Sequence, residues 1–239
     1  MFRKLALLLL FAAFCSGQSL TPDGAIDRYL TGSRDGQPGC SEQVFAVQID
    51  ASMSKLKKHG SMSGLKVVSR TSQTVYRGLR FTGDKLVKTA VIARFLANDT
   101  KLPGEDADTG ITRQNYSFVY DRTSGYNGLT AYVFRLNLMR KHIGLFKGEL
   151  WLNATTAAPL RLWGDVVKAP SIFVRSFRFV QDYQSIGDCS QPLRLLLALE
   201  TRIVGKVEMT EWLHPVDSQS AAATDGCSPA SVARPGSGQ

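Results

Sequence analysis

Apolar and polar residues alternate in short runs over most of this chain, and from Ile111 to Val216 the alternation scarcely stops. Period-two patterning of this kind predicts half-buried strands. Before it, Thr21-Pro22-Asp23 followed by Ala25, Ile26, Tyr29 and Leu30 reads as an N-cap, a proline at the first helical position and an apolar stripe, with Gly32 as its stop. VFAVQIDASM then sets Phe45, Val47, Ile49 and Ala51 on one face, a strand, and 55–60 reads as a polar turn. Strands are predicted over 65–71 and 74–82. GDKLVKTAVIARFLAND has an Asp84 cap and apolar positions at helical spacing, which predicts a helix.

Seven further strands are predicted at 116–121, 129–138, 145–153, 159–167, 172–183, 193–204 and 206–213. Their turns fall at Ser124-Gly125, Ala154 to Ala158, Lys168 to Pro170 and Gly187-Asp188. Short connections between successive strands make an antiparallel meander. Two strands carry one-sided apolar ladders: Tyr132, Phe134, Leu136 and Leu138 in one, and Leu193, Leu195, Leu197 and Leu199 in the other. In the long strand between them, Phe177 and Phe179 share a parity with Arg175 and Gln181. One sheet face is therefore greasy. Helices laid on it could close a plain core, or leave a cavity for an acyl chain, and the pattern leaves both open.

The ends differ from this middle. MFRKLALLLLFAAFCSGQS has a basic start, an apolar run from Leu5 to Phe14 and small residues to Gly17, the layout of a secretory signal covering 1–17. Phe14 stands before Cys15, where a lipoprotein signal needs a small residue. Residues 217–239 are rich in Ser, Ala, Gly and Pro and are expected to be disordered, which leaves 18–216 as one domain. The formal net charge of +9 in 239 residues comes from basic side chains spread along the chain, including Lys55, Lys57, Lys58, Lys85 and Lys88. Without a dense cluster, nucleic acid is not the expected partner, and a solvated basic face or an anionic lipid partner remains.

Chemistry is sparse. His59, His142 and His214 lie far apart without acidic neighbours, and no nucleophile elbow, paired-carboxylate or metal motif is present. No catalytic residue, metal or cofactor is assigned. In an oxidising compartment Cys40 and Cys189 are the preferred disulfide, with no disulfide at all as the equal alternative.

The runs LFKGELWLNATTAAPLRLWGDVVKAPSIFVRSFRFVQDYQSIG and LETRIVGKVEMTEWLHP, with FTGDKLVKTAVIARFL upstream, resemble bacterial exported proteins of the LolA-like, lipoprotein-carrier type. The resemblance spans Phe81 to Pro215. It implies an α+β, mainly β fold, a curved antiparallel sheet forming an incomplete half-barrel with helices over its open side. It further implies a periplasmic, non-enzymatic protein that holds a lipid or lipoprotein acyl chain, with an envelope protein as a further partner. Tyr132, Phe134, Leu136, Leu138, Phe177, Leu195 and Leu197 are the expected ligand-binding residues. The alternatives are an envelope scaffold with a sealed core and a secreted enzyme with a dispersed site.

Overall fold

The structure, a computed structural model, describes residues 19–34, 43–69, 73–100, 109–168, 172–186 and 189–216. The expected leader, the tail and Cys40 lie outside the described residues. Ten strands form a single antiparallel sheet that is not closed into a barrel: β1 (Gln43–Met53), β2 (Lys58–Val68), β3 (Thr74–Gly83), β4 (Tyr116–Tyr126), β5 (Leu129–Leu138), β6 (Phe146–Asn153), β7 (Pro159–Val166), β8 (Val174–Ile186), β9 (Cys189–Thr201) and β10 (Gly205–Pro215). Their order across the sheet is β3-β2-β1-β10-β9-β8-β7-β6-β5-β4. The first strand thus pairs with the last, Phe45 opposite Pro215 and Met53 opposite Val207. This is the mainly β half-barrel the sequence motifs imply.

Two helices lie on the apolar face. Helix α1 (Pro22–Arg34) is capped by Thr21, whose Oγ1 accepts from Gly24 N at 3.1 Å, and it runs past Gly32. Helix α2 (Lys85–Val87), a π-helical turn (Lys88–Ile92) and α3 (Ala93–Asp99) follow one another without a break as a second rod. The Asp84 carboxylate caps it by accepting from Leu86 N at 2.8 Å.

Local sequence explains where the strands depart from the pattern. The β4–β5 hairpin turns at Asn127-Gly128, with φ of +49° and +79°, and Ser124-Gly125 lies inside β4. Asn-Gly suits a two-residue turn with two left-handed positions, which the twist of paired strands favours. β2 begins at Lys58, inside the stretch expected to be a turn, because its pairing with β1 runs on to Met53 opposite Lys58; at Gly60 the second rod comes close, and a Cβ there would meet Val87 at 3.1 Å. Both outer strands are irregular. β4 bulges at Asp121, and β3 bulges where Gly78 (φ +60°) interrupts the register opposite Gly64.

The apolar interior divides in two. One cluster joins β1, β2 and β10 to the second rod through Phe45, Ile49, Met62, Val87, Ile92 and Leu213. The other joins β4 to β7 to α1 through Ile26, Tyr116, Phe134, Leu136, Leu150 and Leu152. Full burial of such a side chain contributes about 1.5–3 kcal/mol, so both helices gain stability from the face they cover.

Candidate functional site

Register sorts the expected ligand-binding residues onto one face but into two places. Tyr132, Phe134, Leu136 and Leu138 alternate along β5 under α1; Phe134 and Leu136 are fully buried, and Tyr132 and Leu138 pack on their cluster half-buried. Phe177, Leu195 and Leu197 lie on β8 and β9 in the middle of the sheet. Cross-strand pairs there are Phe177 with Leu199 and Phe179 with Leu197. The boundary between the two clusters runs along this strand pair, because Phe179 packs against the α1 cluster while Leu197 and Leu199 pack against the other. Phe177 and Leu195 belong to neither, and all five side chains are half-buried. An apolar seam therefore runs along β8 and β9 between two sealed cores.

Polar groups border this seam. Glu211 of β10 sits opposite Leu195 and Ile49, on the apolar face, and is 2% exposed. Lys66 Nζ lies 3.3 Å from Glu211 Oε1 and 3.0 Å from Asp99 Oδ2, at the end of α3. The Tyr76 hydroxyl donates to Asp99 Oδ2 at 2.8 Å. Burial pushes the Glu211 carboxyl above its ordinary range, with Lys66 pulling it down and Asp99 adding to the rise. Burial, then the charges of Asp99 and Glu211, push the Tyr76 phenol far up, so it stays a hydrogen-bond donor. Asp99 ends a helix, where a negative charge is unfavourable, and Lys66 offsets it. This group ties β2, β3, β10 and α3 together. Sequence pattern missed it because a lone Lys or Glu in a strand reads by default as solvated.

The opposite face explains the tryptophans of the β6–β7 hairpin. Glu149 accepts from Trp151 Nε1 at 2.9 Å, Trp163 Nε1 at 3.1 Å and Arg122 Nη2 at 3.2 Å. Burial alone would raise the Glu149 carboxyl, but the hydrogen bonds from Arg122, Trp163 and Trp151 outweigh it and hold it below the usual range. The Arg122 guanidinium lies 5.3 Å from the Trp151 ring centroid, and Arg194 lies 5.1 Å from that of Trp212. Buried Asp182 accepts from Tyr126 and pairs with Arg161 and Arg194. The tryptophans thus cover the polar face of the sheet and are held there by Glu149 and Arg122.

Two pockets lie away from the seam. One, of about 370 Å³, opens on the polar face between His59, Ser61, Thr82 and Thr210. The other, of about 360 Å³, lies between α1 and residues 110–113, beside Leu30, Ile111 and the Asp27–Arg113 ion pair. Among the described residues no cluster of three His, Cys, Asp or Glu side chains could hold a metal.

No family model matches the chain, and no curated protein matches it in sequence. Its fold is similar to that of a LolA superfamily protein of Nitrosomonas europaea, at 13% identity over 80% of this chain and 93% of that one, with a TM-score of 0.36. It is similar to a DUF1329 family protein of Desulfovibrio piger, at 10% identity over 82% and 93%, TM-score 0.39. A domain named for outer membrane lipoprotein sorting, from Vibrio parahaemolyticus, is similar at 11% identity over 84% and 98%, TM-score 0.39.

Proposed function

We propose that this chain is a non-enzymatic protein of the bacterial periplasm that binds a lipid or lipoprotein acyl chain along the β8–β9 seam. The observation that carries the reading is the half-buried row Phe177, Phe179, Leu195, Leu197 and Leu199, lying on the helix-bearing face between two closed cores. An extended apolar ligand lying there would cover these side chains and contact both clusters. Phe134 and Leu136, already sealed beneath α1, would support the ligand wall without touching it. Their sealing also favours a second reading, an envelope scaffold whose apolar face serves packing alone.

A fluorescent fatty-acyl probe tests the choice. Phe177→Arg and Leu195→Arg replace seam residues outside both cores, so the variants should stay folded, and each should lose probe binding by about tenfold or more, since an arginine directs charge into the seam. Wild-type protein that binds no probe, or folded variants that bind it unchanged, would leave the scaffold reading standing.

A further inference from the structure

The connections between strands form two sets, one at each end of the sheet, and their compositions differ. At one end lie the β1–β2 turn, the start of α2, and the β5–β6, β7–β8 and β9–β10 connections. Backbone groups stitch these into a continuous rim. Val167 N donates to Leu145 O at 3.0 Å, Arg202 N to Phe173 O at 2.9 Å, Ser54 N to Lys206 O at 2.9 Å and Asp84 N to His59 O at 2.8 Å.

The six most exposed large apolar residues of the described chain all stand on this rim: Met139, Ile143, Val167, Ile172, Phe173 and Ile203, from 45% to 80% exposed. Leu56 and Leu86 extend the row. At the far end, the Asn127-Gly128 and Ala154–Ala158 turns are small and polar, and the exposed large apolar residues near that end are Leu129 and Val75, each 42% exposed. Single exposed apolar residues are ordinary; a contiguous set marks an interaction surface.

Cations accompany the apolar tips. Lys55 and Lys57 flank Leu56, Arg140 and Lys141 follow Met139, Lys168 follows Val167, and Arg202 precedes Ile203. Three carboxylates at this end are already matched, Asp84 by Lys58 at 3.1 Å, Asp165 by Arg178 at 2.8 Å and Glu208 by Lys206 at 2.6 Å, while Glu200 stands exposed opposite Lys206. Among the described residues, Lys55, Lys57, Lys141 and Lys168 have no carboxylate partner. Basic residues that are dispersed along the sequence thus converge in the fold.

We propose that this rim docks on an anionic lipid bilayer, with the apolar tips entering the headgroup boundary and the lysines meeting the lipid charge. The observation goes beyond the seam and stands whether or not the seam holds an acyl chain. A nucleic acid or an acidic protein would engage the cations but leave the large apolar side chains in water. A neutral apolar partner would leave the lysines uncompensated. A charged bilayer surface satisfies both at once.

Flotation of the full chain, as the cell processes it, with vesicles of phosphatidylglycerol and phosphatidylethanolamine provides the test, alongside hydrogen exchange on the same mixture. The protein should float with these vesicles and not with phosphatidylcholine alone, and added salt should weaken the association. Protection should appear in 139–144 and 202–204, and none in 127–129, a local readout that a membrane-seeking leader would not produce. Ile172→Ser with Ile203→Ser, and separately Lys55→Glu with Lys57→Glu, should each lower binding about tenfold or more with unchanged melting curves, while Leu129→Ser should change nothing. The proposal is overturned if wild-type protein ignores anionic vesicles, if it binds an acidic protein or single-stranded DNA in their place, if protection falls outside the rim, or if both rim variants bind as wild type does.

Discussion

The two helix-covered halves of this sheet are built on the same plan and stabilised by different means. Under α1, the buried cluster contains no charged side chain, and the helix lead-in is held by Leu20 N donating to Ala154 O at 2.8 Å and by the Tyr132 hydroxyl donating to Leu20 O at 2.6 Å. Beneath the second rod, the apolar cluster ends in a buried cation of β2 that joins a carboxylate of β10 to the one on the last residue of α3. Apolar packing is non-directional and lets a helix settle wherever area is best covered. An ion pair with a 3 Å reach admits few positions, and its cost in desolvation is offset only if every partner is present. One half is therefore set by area and the other by geometry.

The strongest challenge to that contrast is Phe134→Arg, which introduces a charge into the half that has none. Such a charge, with no partner under α1, costs several kcal/mol against a total stability of roughly 5–15 kcal/mol, and the domain should lose its cooperative melting transition. A folded variant would mean that the α1 half opens to water. Next in size is the reverse experiment, Lys66→Met, which removes the cation from the half that needs it and leaves Asp99 and Glu211 facing each other. Stability in urea should drop by about 3–5 kcal/mol, and adding Asp99→Asn and Glu211→Gln should recover most of it. Little loss from Lys66→Met would show that area, not charge, positions α3.

The smallest effect is one of pH. Glu211 binds its proton more tightly folded than unfolded, so the folded state takes up a proton as pH falls toward the ordinary carboxylate range, and acidification through that window adds stability. Glu149, held low, acts in the opposite sense, its contribution being lost only as pH falls below the ordinary glutamate value. As the pH is lowered toward the ordinary glutamate range, the difference in melting temperature between wild type and Glu211→Gln should consequently shift in favour of wild type. A gap that stays constant would place the cost of Glu211 in packing and not in charge.

Strands and the second helix were legible because their apolar residues recur at fixed spacing, and Leu129 to Leu138 matched its predicted bounds. Turns were less so. Ser124-Gly125 and Asn127-Gly128 both carry turn chemistry, and only cross-strand pairing, which carries β4 through to Tyr126 opposite Leu129, decides between them. The seam was half legible: alternation put Phe177, Leu195 and Leu197 on a greasy face, but where a helix stops covering that face is a matter of tertiary packing. Lys66 and Glu211 look like any solvated residue of a strand. The rim is invisible in sequence, because Leu56, Met139, Ile172 and Ile203 become neighbours only when the strands are ordered.

The pairing of β1 with β10 also has a consequence in time. Phe45, Ile49 and Met53 belong to a cluster completed by Val207, Met209 and Leu213, so no partial chain can close that core before its final strand has been synthesised. Contacts spanning nearly the whole sequence make such a fold slow to nucleate, since loop closure must precede the reward of burial. Under the periplasmic reading proposed above, that delay would keep the chain threadable until it is complete.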